Sequence, residues 1–336
     1  MPPICIYAVK KLINILEFDI KESPRELWDD IFFKNNQQTV FSTIKFLAYH
    51  KDSIETSYLK ILNNNELVAQ IPVMFKSNDA ISHGGATYGG FSQYKKLSKN
   101  QCENIFDNFI NFLKQKNIVS FSIKIPPKTF VKNSIDDLNN YFMTKMKIKE
   151  QEETSFVTLS QQDFSDLDSS SIRRNHKRDI RYFEQNYSSL SEIKRITNKN
   201  DLLDYYNILL DNLAKFNKKP THSFDDLWYL TNYLPKSIWI DALIYKDSII
   251  SGITNFKLNK YVNYFFYGSN SYSTNIKGSM KYLYFKSLAS LQAEGYQYID
   301  FGIDSKQNEK ANDSLRSFKD GFNVDHENRY LYFLEI

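Results

Sequence analysis

His83 opens the run AISHGGATYGGF, residues 80–91, in which Gly84, Gly85, Gly89 and Gly90 fall within seven positions around Tyr88. Glycine at that density is unfavourable inside a strand. The run therefore predicts either a loop where backbone closely approaches a ligand or a tight turn. A second concentration of reactive side chains lies in residues 261–322. There Tyr267 closes an apolar strand, and Lys277, Gly278, Ser279 and Met280 open a helix. A helix N-terminus presents unpaired N–H groups and partial positive charge, which favours phosphate. Asn275, Ile276, Lys277, Gly278 and Ser279 are thus placed to meet a diphosphate. Asp300 and Asp304 follow on one strand, roughly 13 Å apart if it stays extended, so each acts alone. Asp304 falls at the strand's carboxyl end, where ligands bind in open sheets. It is placed to hold or deprotonate an amine, or simply to cap a turn. Lys319, in RSFKDGF, is suited to pairing a phosphate or stabilising an oxyanion.

Other chemistries find no support. The chain has neither GxGxxG nor a Walker loop, so hydride transfer and ATP hydrolysis drop out. It lacks a GxSxG elbow. The five histidines (His50, His83, His176, His222, His326) are scattered, with no metal-ligand spacing, and Cys5 and Cys102 form no metal or disulfide pattern. A net charge of +4 is too mild to imply nucleic acid by itself. No window reaches eighteen uninterrupted apolar residues, and the start shows no secretory leader. The expectation is a cytoplasmic protein without membrane insertion and without a metal.

These side chains need a scaffold, and the sequence supplies one twice. Two apolar runs separated by Asn63, Asn64 and Asn65 predict a hairpin. After the glycine run comes a helix near 99–116 with an apolar stripe of Ile105, Phe106, Phe109, Ile110 and Leu113. Alternation over 119–125 predicts a half-buried strand, stopped by Pro126 and Pro127. Residues 247–302 repeat this order of strand, strand, small-residue loop, amphipathic helix and alternating strand. The duplication implies two domains, 1–157 and 158–336. Between the copies, SIRRNHKRDIRYFEQ predicts a helix with Ile172, His176, Ile180 and Phe183 on one face. Arg173, Lys177 and Arg181 lie on the neighbouring face with Arg174 and Arg178, as an anion-binding or a solvated surface. Pro24 after Ser23 marks another helix start.

The combination of RRNHKRDIRYFEQ, FFYGSN, IKGSMKYLYFKSLASLQAEGYQYIDFGID and SLRSFKDGF, with ATYGGF and IKIPP earlier, resembles the tandem GNAT-fold acyltransferases. That family includes the Fem-type peptidoglycan aminoacyltransferases and acyl-CoA-dependent relatives. The resemblance covers most of residues 20–336. It implies an α/β (α+β) fold of two tandem GNAT-like domains, each a mixed central sheet flanked by helices, with substrate in the cleft between them. It places CoA diphosphate on Lys277, Gly278, Ser279 and Met280. The Q/RxxGxG/A loop usual for that contact is reduced here to Gly278. The Phe-Lys pair of the family corresponds to Phe318 and Lys319, near donor and acceptor phosphates. No heptad arm of the kind many Fem proteins carry is present. The expected activity is N-acyl transfer from acyl-CoA, of acetyl or 3-hydroxybutanoyl type, to the amine of a nucleotide-linked amino sugar, for instance a dTDP-3-amino-3,6-dideoxyhexose of a surface polysaccharide. The expected base is Asp304 or His83, and Tyr267 is the expected proton donor to the leaving thiolate. Arg174, Arg178, Lys319, Tyr88 and Asp300 are the expected substrate and phosphate contacts. The alternative is a Fem-like ligase using aminoacyl-tRNA on a peptidoglycan precursor, the one case in which nucleic acid is a partner.

Overall fold

The computed structural model describes residues 18–23, 28, 39–50, 55–131, 135–306 and 313–336. The predicted helix after Ser23 lies outside these residues. The first hairpin forms as read: β2 (Thr56–Asn63) pairs antiparallel with β3 (Glu66–Lys76). Asn64 and Asn65 turn it with φ of 50° and 63°, which asparagine tolerates better than most side chains. Before it lie β1 (Phe18–Glu22) and the short helix α1 (Ile44–Leu47). Then come β4 (Asp79–Ser82), β5 (Ser92–Gln93), α2 (Lys99–Gln115), β6 (Ser120–Lys124), α3 (Asp137–Lys145) and β7 (Lys147–Thr158). A capping box of Ser98 and Gln101 starts α2, a device that contributes about 1 kcal/mol.

The second half runs α4 (Arg174–Asn186), β8 (Ser191–Arg195), α5 (Lys199–Ala214), α6 (Phe224–Tyr233), β9 (Ile238–Tyr245), β10 (Ser248–Lys257) and β11 (Val262–Asn270). It ends with α7 (Ser279–Ala293), β12 (Tyr298–Lys306), α8 (Asp313–Asp320) and β13 (Asp325–Glu335). All main strands join one mixed sheet in the order β1-β2-β3-β4-β6-β13-β7-β12-β11-β10-β9-β8. The repeat read from the sequence appears as topology. β3 and β4 are antiparallel and β4 runs parallel to β6; β10 and β11 are antiparallel and β11 runs parallel to β12.

The sheet centre departs from two side-by-side copies. β7, the last strand of the first half, pairs with β12, and β13, the last strand of the second, pairs with β6. β7 and β13 also pair with each other, so the halves exchange their final strands. The 157/158 boundary falls within β7. One expectation is corrected: β6 is not half-buried, because Ser120 and Ser122 are covered along with Phe121 and Ile123. Each half keeps an apolar core between sheet and helices. A third cluster spans the junction, bringing Phe41, Phe46 and Tyr88 of the first half against Phe256, Val262 and Tyr264 of the second.

Candidate active site at the junction of the halves

Each half contains one parallel strand pair, and both pairs part company after a few residues. In the second half, β11 and β12 are in register only from Val262↔Tyr298 to Tyr264↔Asp300. β11 then carries a bulge: Thr254 faces Tyr267 while Asn255 faces Phe265, so Phe266 is the extra residue. Beyond it the facing edges of β11 and β12 diverge. Among the described residues no other backbone segment hydrogen-bonds into this wedge. Gly268 is exposed there. On the β12 side, Lys319 reaches in from α8 and donates to the carbonyls of Gly302 (2.7 Å) and Ile303 (2.9 Å).

In the first half the equivalent wedge is filled. β4 and β6 pair from Asp79↔Ser120 to Ser82↔Ile123. The next rung is made by the glycine run, with the Gly89 N–H donating to Lys124 O at 2.7 Å and the Gly90 N–H to Ser82 Oγ at 3.0 Å. A Cβ on Gly89 would lie 2.2 Å from Ser82 C and O and from His83 N, so only glycine fits. The space left beside this plug is about 40 Å³, lined by Gly89, Gly90, Phe91 and Asn139 among others. That volume suits a water or two. The glycine run thus binds its own sheet.

Residues flanking the plug meet the bulge of β11 across the junction. Tyr49 donates its hydroxyl to Gly85 O (3.2 Å), and its ring lies 5.3 Å from the His222 ring. His83 Nε2 is 2.9 Å from Thr56 Oγ1. The imidazole of His222, 3% exposed, is walled by Phe256 and Phe266, and its Nδ1 lies 3.1 Å from the Tyr267 hydroxyl. The Thr221 N–H (2.9 Å) and His222 N–H (3.3 Å) also point at that phenolic oxygen, and Thr221 Oγ1 lies 2.5 Å away. Burial pushes the Tyr267 phenol above its ordinary pKa, and the Thr221 and His222 hydrogen bonds pull against the shift. Of the three predicted catalytic residues, Tyr267 lies at this junction, while the imidazole of His83 meets Thr56 within the first half. His222 and Tyr49 were not singled out from the sequence. The ring of His222 is brought in by the loop before α6, and no motif marks it. The side chain of Asp304 lies outside the described residues.

The predicted substrate and phosphate contacts are placed differently from the sequence reading. Tyr88 and Asp300 are fully buried, and both are bonded within the protein. Tyr88 donates to Asp300 Oδ2 (3.1 Å) and accepts from Arg329 Nη1 (3.0 Å). Asp300 Oδ1 accepts from Thr154 Oγ1 (2.6 Å) and the Gly302 N–H (2.8 Å). Arg329 Nε and Lys124 Nζ each donate to Glu152 Oε2 at 2.8 Å. Burial raises the Asp300 carboxyl against the pull of Arg329, while Glu152, despite burial, is held low by Arg329 and Lys124. This network ties the two halves together. Lys319 is 4% exposed and directs its ammonium at carbonyls.

The turn before α7 is also committed internally. A Cβ on Gly278 would meet Asp179 O at 2.1 Å, because α4 packs across it. Lys281 (2.6 Å) and Lys277 (3.5 Å) bind the Asp179 carboxylate, and Arg178 lies 3.4 Å from it. Ser279 is buried, its hydroxyl donating to Asn270 Oδ1 and lying near Ile276 O; Met280 packs against the second core. Arg173, at the N-cap of α4, pairs with Asp320; Lys177 donates to the Asp168 carbonyl, and Arg181 pairs with the Asp168 carboxylate. Arg174 is exposed. Much of the predicted anion-binding face is thus spent on the protein's own carboxylates and carbonyls. His176 is buried between Phe318 and Phe322, in keeping with a core residue.

No family model and no curated protein sequence matches this chain. Solved structures do match its fold. The chain is similar to FemX, with a TM-score of 0.69 at 11% identity over 95% of this chain and 97% of that one. It is similar to L-PGS from Bacillus licheniformis (TM-score 0.60, 14% identity, 93% and 92% covered). A tandem GNAT protein from the clavulanic acid biosynthesis pathway gives 0.53 at 6% identity, with 95% and 98% covered. The fold is that of two tandem GNAT-like units. Identities this low carry the architecture alone. Among the described residues no helix is long and apolar enough to cross a membrane, and no group of three His, Cys, Asp or Glu residues is placed to hold a metal ion.

Proposed function

We propose that the chain is an N-acyltransferase that moves an acyl group from a CoA thioester to the amine of a nucleotide-linked amino sugar. The observation that carries this reading is the unpaired wedge between β11 and β12, opening beside Tyr267 and His222 at the junction of the halves. An extended arm with amide groups pairs with free strand edges as an added strand does. The pantetheine arm of CoA has that form. It enters the wedge of the second half, since Gly89 fills that of the first. The acceptor amine approaches from the face carrying Tyr49 and His222. Binding both reactants in one cleft supplies much of the rate.

The test is thiol release from acetyl-CoA and 3-hydroxybutanoyl-CoA in the presence of nucleotide-linked amino sugars such as a dTDP-3-amino-3,6-dideoxyhexose. Turnover that requires both partners is expected. A second reading is aminoacyl transfer from tRNA to a peptidoglycan precursor. It is favoured by the closure of the α7 turn over Asp179, where a CoA diphosphate was expected, and by the likeness to FemX. Inert acyl-CoA together with salt-sensitive binding and turnover of charged tRNA decides for it.

A further inference from the structure

The Tyr267 oxygen has four polar neighbours and one proton. Two of those neighbours, the N–H groups of Thr221 and His222, only donate. Its proton therefore goes to Thr221 Oγ1 or to His222 Nδ1. Thr221 has its own hydroxyl proton to place, and the phenolic oxygen at 2.5 Å is a nearer acceptor for it than His222 Nδ1 at 3.5 Å. That leaves His222 Nδ1, at 3.1 Å, for the tyrosine proton.

We infer that Tyr267 and His222 form one proton-handling unit, with Tyr267 touching the acceptor and His222 acting through it. This rests on the acyl-transfer reading above, whichever donor is used. The acceptor enters as an ammonium. One N–H bond breaks as its proton passes to the Tyr267 oxygen and the Tyr267 proton passes to His222 Nδ1. The free amine attacks the acyl carbon, a C–N bond forms and the bond to the leaving thiolate or alkoxide breaks. The His222 imidazolium returns its proton through Tyr267 to the leaving group. The second ammonium-derived proton leaves to solvent, so the products are amide, thiol or alcohol, and one released proton. The two backbone N–H groups aimed at the phenolic oxygen fix its position beside His222 Nδ1. The apolar wall of Tyr49, Phe256 and Phe266 fixes the imidazole ring against rotation away from it.

Two measurements test the unit, one of which needs no turnover. Nitrogen-15 NMR of histidine-labelled protein reads the His222 tautomer, assigned by comparison with His222→Asn. An unprotonated Nδ1 in the wild type, whose shift moves in Tyr267→Phe, is expected. A protonated Nδ1 that ignores Tyr267→Phe overturns the inference even if the enzyme is active. In the kinetic arm, Tyr267→Phe and His222→Asn are each expected to lower kcat about 100-fold with the acceptor KM within about threefold of wild type. Asn keeps an acceptor for the tyrosine proton but holds no proton itself, so a wild-type kcat in His222→Asn reduces the residue to packing and overturns the relay. Absence of turnover by the wild type with any donor overturns the acyl-transfer reading instead, and the tautomer still decides the pair.

Discussion

Two copies of the same strand pair sit in this molecule, and they have been put to different uses. In the first half the chain closes its own wedge: Gly89 continues the ladder of β6 and Tyr88 beside it crosses into the other half. In the second half the wedge stays unpaired after Tyr264 and Asp300, and polar groups gather at its edge. The comparison teaches that a duplicated scaffold can close one wedge with its own backbone and leave the matching one open. The closed copy's backbone edge becomes a structural seam, and the seam is tied to the open copy through Tyr88, Arg329 and Asp300.

The largest effect is expected from breaking that seam at its charge. Arg329 is 5% exposed and faces Glu152, Tyr88 and Asp300. Arg329→Met leaves two buried carboxylates short of their cation and is expected to destabilise by about 3–5 kcal/mol, read from urea unfolding. A loss under 1 kcal/mol shows that the halves do not depend on the network. Next comes the plug itself. Gly89→Ala puts a methyl against backbone that has nowhere to move, with an expected loss of about 3 kcal/mol. The matched change in the other wedge, Gly302→Ala, meets the Tyr264 ring at 3.1 Å with φ at 77°. It is expected to lose about 1–2 kcal/mol while lowering activity more than Gly89→Ala does. Equal activity losses per kcal/mol erase the distinction between the wedges.

Which parts of this were readable beforehand follows from distance along the chain. The Asn-rich hairpin, the stripe of α2 and the repeated order of elements are local patterns, and they form as read. The glycine run was legible as a close approach of backbone, but not what it approaches. Its partner, Lys124, lies 35 positions on, and a strand edge has no residue signature. The exchange of β7 and β13 is equally silent, since pairing is a backbone event. Asp300 and Lys319 stood out for their charge, and that charge is matched inside the protein by Thr154, Arg329 and carbonyl oxygens. His222 was passed over because a lone histidine between two helices has no spacing to mark it. Only the Phe256–Phe266 wall and the Tyr267 contact single it out.

The halves also differ in how acid treats them. In the first, burial pushes the Asp136 carboxyl up to about 6 from 3.8. Its neutral form is the favoured one in the fold, so its contribution is full below about pH 4 and is lost as pH rises through 6. In the second, burial and the nearby Lys281 push His176 down to about 4 from 6.5. The fold favours the neutral ring, so that contribution is lost as pH falls from about 6.5 to 4. Each is expected to be on the order of 3 kcal/mol at most. Asp136→Asn should steepen the rise of stability with pH between 4 and 6, and His176→Asn should flatten it. Unfolding midpoints at pH 4, 5.5 and 7 separate the two, and identical slopes in both variants contradict the assignment.

The smallest change asks whether the seam couples the wedges or merely fills space. Tyr88→Phe removes one oxygen and keeps a ring that is fully buried, 6.1 Å from Phe41 and under the Arg329 guanidinium at 5.4 Å. Arg329 retains Glu152, and Asp300 retains Thr154 and the Gly302 N–H. The expected loss is therefore only about 1–2 kcal/mol, the range for one hydrogen bond to charged groups. Asp300→Asn keeps an acceptor for Tyr88 but gives up the charge opposite Arg329. If the hydroxyl acts by linking Asp300 to Arg329, the double variant loses about 1 kcal/mol less than the sum of the single losses. Additive losses mean that Tyr88 packs beside the network without joining it, and the open wedge is then held by β7 and β13 alone.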